Sequence, residues 1–64
     1  MMITAREKEI LQHLKSGRSS RDIADTLGIS ERTVKFHVGN ILRKLQASNR
    51  IEAVVVAMEQ GWLA

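Results

Sequence analysis

Gly28-Ile29-Ser30-Glu31-Arg32-Thr33-Val34-Lys35-Phe36-His37-Val38-Gly39-Asn40-Ile41-Leu42-Arg43-Lys44-Leu45 is the stretch whose reading decides how this chain folds. A glycine and a serine open it, and the rest carries helical periodicity. At about 100° per residue, Val34, Val38, Ile41 and Leu45 fall on one side with Leu42 on its shoulder, the spacing of a buried helical stripe. The opposite side has Phe36 at its centre, Arg32 and Arg43 beside it, Gly39 nearby and Lys35 on one flank. An aromatic side chain surrounded by cations and turned away from the core marks a surface that contacts something.

Working outward, Gly28 predicts the end of a preceding helix and a residue at positive φ, and Ser30 predicts the N-cap of the helix that follows. The preceding helix spans residues 20–27, with Ser20 as its cap and Ile23, Ala24 and Leu27 on one side. Ile29 points inward. Two short helices joined this closely cross steeply, and Ala24 is the small residue where their backbones approach. Upstream, Thr4 and Glu7 form a capping box for a helix over 5–16, with Ile3 packing beside it, Ile10, Leu11 and Leu14 as its apolar face and Gly17 as its terminator. Downstream, Gln46, Ala47 and Ser48 connect to a second capping box, Asn49 with Glu52, which opens a helix over 50–60 closed by Gly61. Trp62 and Leu63 either fold back on the core or continue outward. Met1-Met2 is read as including either a start residue or an added one, and the chain as either a whole protein or a piece of a longer one.

The expected fold is all-α: a compact four-helix domain containing a helix-turn-helix, with helices at about 5–16, 20–27, 31–45 and 50–60. Sixty-four residues make one domain that buries only about 60% of its unfolded surface. Without cysteine there are no disulfides or thiolate metal sites, so the interior rests on Ile, Leu, Val, Ala and Met. One Phe, one Trp and no Pro argue against a β-sandwich. No apolar run approaches the roughly 18 residues of a membrane span, and the chain is read as soluble and cytoplasmic.

The net charge is +3, and the excess is local. Between Ser30 and Arg50 stand Arg32, Lys35, Arg43, Lys44 and Arg50 against Glu31 alone, whereas the first 29 residues nearly balance. Such a patch suits an anionic partner, with nucleic acid foremost. The last helix is more apolar than one core requires. Its arc covers roughly 200°, beyond the ~100° that faces a core. Ala53 and Ala57 suit close packing on the other helices, while Ile51, Val54, Val55 and Met58 are expected to form a homodimer interface.

Ala24, Gly28 and Val34 have the small, turn and buried-apolar spacing of a helix-turn-helix at about 20–41, with Ile23, Leu27 and Ile29 in the accompanying apolar positions. The sequence also resembles the LuxR-type helix-turn-helix family, the output domain of bacterial response regulators of the NarL/FixJ class and of quorum-sensing regulators. The resemblance rests on Thr4-Ala5-Arg6-Glu7 with Glu9-Ile10-Leu11; Ile23-Ala24 and Leu27; Ile29 through Lys35 with His37-Val38; Ile41 through Leu45; and Asn49-Arg50 with Glu52-Ala53, nearly the whole chain. It implies sequence-specific binding of double-stranded DNA in transcription regulation, with the third helix in the major groove. It also implies a dimer formed through the fourth helix on paired half-sites, RNA polymerase as a further partner, and a receiver or ligand-binding domain preceding the module.

An α-helix fits the major groove, and phosphates favour cations and helix N-termini, so the groove proposal also stands on the residues themselves. Lys35 matches a base-contacting lysine of the family and suits guanine O6 or N7. Phe36 matches the next contact position and offers only apolar packing on a thymine methyl or a sugar. Gly39 departs from the polar or basic side chain of many relatives: either it permits close approach to the groove wall or one base contact is missing. Arg43 is a further base-contact candidate, with Asn40 as a helper. Arg21, Ser30, Arg32, Thr33 and Lys44 are read as phosphate contacts, which set register and affinity without specifying sequence. His37 touches phosphate or only packs.

Two other readings share the motif: a helix-turn-helix used purely for protein contacts, with Phe36 and the last helix as its adhesive surfaces, and a sigma-factor-like promoter-binding region. The Thr-Ala-Arg-Glu opening and the fourth helix favour the LuxR-type reading over the latter. An enzyme is not expected. His13 and His37 lie on different helices with no triad or metal-ligand spacing around them, so no catalytic residue, metal or cofactor is assigned.

Overall fold

The computed structural model describes residues 2–64, and Met1, read above as a start residue or an added one, lies outside them. Four helices follow in order, α1 (Ala5–Lys15), α2 (Ser20–Leu27), α3 (Glu31–Leu45) and α4 (Arg50–Glu59), with no strand among the described residues. Helix α2 packs on α3, and α1, α3 and α4 pack on one another. Ile10, Leu11, Ile23, Val34 and Ile41 are the largest fully buried side chains, so the interior is drawn from the apolar faces expected of the first three helices. Helix α4 contributes Ala53 and Ala57, both wholly buried, whose small side chains let it approach its neighbours closely.

Local hydrogen bonding sets each boundary. Thr4 Oγ1 accepts from the Glu7 N–H at 3.1 Å and Glu7 Oε1 accepts from the Thr4 N–H at 2.9 Å, a complete capping box. Helix α1 stops at Lys15, one residue short of the expected end, with Ser16 as its C-cap. Helix α2 is capped by Ser19 rather than Ser20, its Oγ accepting from the Asp22 N–H at 3.1 Å. Adjacent serines offer the same capping chemistry. Here Ser20 is buried and its Oγ accepts from Arg50 Nη2 at 3.1 Å, which leaves the exposed serine to cap.

Gly28 turns the chain at φ 69°, and the Ile29 N–H reaches back to the Ala24 carbonyl at 3.1 Å. Ser30 then caps α3, accepting from the Thr33 N–H at 3.0 Å. At the far end of α3, Gln46 takes a left-handed conformation at φ 54° while the Ala47 N–H bonds the Leu42 carbonyl at 2.9 Å. The second capping box closes differently from expectation. Asn49 Oδ1 accepts from the Glu52 N–H at 2.9 Å, but Glu52 Oε1 accepts from Ser48 N–H, one residue earlier than Asn49. Helix α4 ends at Glu59 rather than residue 60. The tail then folds back: the Trp62 and Leu63 N–H groups both bond the Ala57 carbonyl, burying Leu63 and half-burying Trp62.

One ion pair joins the two ends of the fold. Glu7 is 3% exposed, and Lys44 Nζ lies 2.7 Å from its Oε1 and 3.1 Å from the Met2 carbonyl. Burial pushes the Glu7 carboxyl up, but the hydrogen bonds from Lys44 and Thr4 outweigh it and hold the group below its ordinary value. A carboxylate with a depressed folded-state pKa stabilises the fold fully above its unfolded-state value, and that contribution is lost as pH falls through the folded value.

Three variants test this account of stability, each measured by urea unfolding. Glu7→Gln should cost about 2–3 kcal/mol at neutral pH, because it leaves the Lys44 ammonium half-buried without its carboxylate. The loss of wild-type stability from about pH 5 downward should be shallower in that variant. Gly28→Ala should cost about 1–2 kcal/mol, since alanine resists the left-handed region. Gly39→Ala should instead stabilise by up to about 1 kcal/mol, because a Cβ there meets only Arg43 Nη1, at an ordinary 3.8 Å.

Candidate nucleic-acid interface

Helix α3 is fixed about its own axis by four buried side chains, Val34, Val38, Ile41 and Leu45, with Leu42 half-buried at their edge. Its rotation is therefore set, and the residues opposite that stripe have to face outward. Phe36 is 63% exposed at the centre of this outer face. The His37 ring packs edge-on against it, centroids 5.9 Å apart, and is itself half-buried, a packing contact rather than a freely presented imidazole.

The cations divide into two groups. Arg21, Arg32, Lys35 and Arg43 are exposed. Lys35 Nζ stands 3.7 Å from Glu31 Oε2, but both side chains are open to solvent, and an exposed pair one turn apart is worth only a few tenths of a kcal/mol. It yields readily to a stronger anion. Among the described residues Arg21 and Arg32 form no ion pair. Arg43 donates from Nη2 to Asn40 Oδ1, a neutral acceptor that leaves its charge intact. Lys44 is committed to the fold instead, and Arg50, though exposed, ties two helices together through neutral acceptors. Lys44 holds Glu7 and the Met2 carbonyl, while Arg50 bonds Ser20 Oγ and, at 3.5 Å, the Arg18 carbonyl.

Ser30 and Thr33 sit at the start of α3, their hydroxyls 2.8 Å apart. The Ser30 oxygen is already the cap, so what this corner presents to an anion is the N-terminal end of the helix, with its partial positive charge. Gly39 lies between Phe36 and Arg43 on the outer row, one turn from each, and leaves a gap in that row of side chains.

A second exposed surface runs along α4. Ile51, Val55 and Met58 are 76%, 49% and 45% exposed, at the spacing of one helical stripe. Val54, expected beside them, is half-buried against the core. The cleft lined by Ile3, Lys44, Leu45, Gln46, Gln60 and Trp62 has Lys44 as its one titratable group, already bound to Glu7. Among the described residues no His, Cys, Asp and Glu side chains gather as metal ligands, and no helix is long and apolar enough to cross a membrane.

The roles of Glu7, Lys44, Arg50 and Ser20 in joining the helices were not visible from sequence spacing. Their partners lie 37 and 30 residues apart, and only the local half of the Glu7 interaction, its capping box, has a sequence signature.

Comparison with known proteins places this arrangement. The transcriptional regulatory protein DegU of Brevibacillus brevis is 47% identical over 62 residues, which are 97% of this chain and 26% of that relative. The chain thus spans about a quarter of the length of such curated relatives. Among solved structures, the response regulator ChrA of a heme-sensing two-component system superposes with a TM-score of 0.95 at 44% identity, over 98% of this chain and 31% of that one. The transcription factor GerE superposes with a TM-score of 0.90 at 41% identity, over 95% of this chain and 91% of that one. The model of the family described as bacterial regulatory proteins, luxR family, matches residues 1–57, and with nine-tenths of its length inside that match the chain belongs to this family.

Proposed function

We propose that this chain binds double-stranded DNA in a sequence-specific manner, with α3 in the major groove, as a module of bacterial transcription regulation. The observation that carries the reading is the outer face of α3: Phe36 is exposed among Arg32, Lys35 and Arg43, on a helix whose other face is locked in the core. B-DNA's major groove admits one α-helix, and its phosphate walls attract such a basic border. The relatives named as transcriptional regulators agree with this assignment.

Within this reading Lys35 donates to guanine O6 or N7, Phe36 packs on a thymine methyl or a sugar, Gly39 allows the helix to approach the bases, and Arg43 reaches a base edge. Arg21, Arg32 and the Ser30–Thr33 helix start bind phosphates. Lys44 serves first to place α3 through Glu7. Two copies meet through Ile51, Val55 and Met58, a stripe of large apolar side chains for which the monomer has no use. Val54 braces that stripe from beneath. A dimer on paired half-sites doubles the number of bases read, and RNA polymerase is the further partner of a regulator of this type, acting in the cytoplasm.

Selection of bound duplexes from a random pool at low salt tests the reading. A defined site should emerge, and affinity for it should fall with a log–log salt slope of about −0.9 per phosphate neutralised. Arg32→Ala should reduce that slope by about 1 and weaken all sequences alike, while Lys35→Ala should lose about 1–3 kcal/mol of discrimination at one base pair. No detectable duplex binding would reject the proposal in favour of a protein-contact module. For the dimer, Val55→Glu should abolish cooperative binding to paired half-sites without lowering the unfolding midpoint. Retained cooperativity would remove α4 from the interface.

A further inference from the structure

The gap left by Gly39 on the outer row of α3 is bordered by a neighbour. Side chains on a helix lean toward its N-terminus, so Arg43 extends over the preceding turn, where Gly39 lies. Arg43 Nη1 is 3.8 Å from the point at which a Cβ on Gly39 would stand. Its Nη2 donates to Asn40 Oδ1, three residues back on the same helix, and Asn40 is half-buried. The guanidinium is thereby brought one turn back from its own Cα, into the row headed by Phe36.

The geometry points to Arg43 as the polar reader of the position that Gly39 vacates, recognising a guanine, with Asn40 as the positioning residue that aims it. This rests on the DNA-binding reading above and deepens it by naming the base that Arg43 takes and the residue that aims it. The chemistry fits guanine. Arginine carries five N–H donors in a planar fork; with one Nη2 proton given to Asn40, the other Nη2 proton and both Nη1 protons remain for the paired O6 and N7 acceptors. Asn40 is neutral, so it orients the fork without cancelling its charge, as a carboxylate in its place would. A free arginine has to be immobilised when it binds, and a side chain already held loses less freedom at that step. No side chain at position 39 competes for that part of the row, and the amide at position 40 holds the guanidinium there.

The test uses a duplex selected from a random pool and its single-base-pair variants, with affinities measured for wild type, Arg43→Ala, Arg43→Lys, Asn40→Ala, Asn40→Asp and the Asn40→Ala/Arg43→Ala double variant. Arg43→Ala should lower discrimination about tenfold or more at one G·C pair, distinct from the pair affected by Lys35→Ala. Arg43→Lys should not restore it, since an ammonium lacks the fork. Asn40→Ala should lower discrimination about three- to tenfold at that same pair and have no further effect in the Arg43→Ala background. Asn40→Asp keeps the acceptor and should keep the discrimination while weakening every duplex alike. Uniform losses from Arg43→Ala across all duplexes, or an Asn40→Ala effect that persists without Arg43, would overturn this inference and leave DNA binding standing. Failure of the wild-type protein to bind any duplex would overturn the DNA-binding reading, and this inference with it.

Discussion

Everything the outer face of α3 presents depends on how that one helix is rotated. Val34, Val38, Ile41 and Leu45 are inserted into a core that also receives Ile10, Leu11 and Ile23, and a rotation of α3 by a single residue position would pull two or more of them into water. Each fully buried aliphatic side chain is worth about 1.5–3 kcal/mol, so in a domain of 64 residues such a rotation competes with the whole margin of stability. Phe36, Gly39 and Arg43 face outward because these four cannot. The Gly28 turn and the Ser30 cap supply the remaining constraint, since they fix where α3 starts relative to α2.

The basic residues that give the chain its charge are not equivalent. Lys44 closes the buried Glu7 carboxylate inside the fold, whereas Arg50 ties the start of α4 to the start of α2 from an exposed position. A small domain without disulfides has few ways of joining helix ends, and a hydrogen-bonded ion pair whose carboxylate is 3% exposed joins α1 to α3 directly. Breaking such a pair costs more than the pair itself contributes, because the remaining charge is left without a partner. Arg21, Arg32, Lys35 and Arg43 remain available at the surface. The exposed basic face of α3 thus leaves out Lys44, and it is centred on Phe36.

The sequence was most informative where its signals are local. The stripe on α3, the Thr4–Glu7 box, the Gly28 turn and the alanines of α4 all follow from spacings within two turns, and the structure has each of them. Where two residues offered the same chemistry, local reasoning chose wrongly: Ser19, not Ser20, caps α2, because Arg50 claims the second serine. The left-handed Gln46 carries no glycine to announce it. The Glu7–Lys44 pair joins residues 37 positions apart, and no periodicity within either helix specifies it. The outer face of α3 was legible as a set of residues, but the contact between Arg43 and Asn40 across Gly39 needs side-chain positions, since spacing alone left Gly39 as a gap.

In the proposed reading, the outer face of α3, set by the buried stripe beneath it, is the surface that meets DNA. The most direct measurement is a map of amide and side-chain NMR shifts as a selected duplex is added to the protein. The largest changes should fall on Arg32, Lys35, Phe36, Gly39, Asn40 and Arg43 and at the start of α2, with Lys8, Gln12 and the rest of the exposed side of α1 unmoved. Changes concentrated on α1, or on Ile51, Val55 and Met58 with α3 silent, would contradict it.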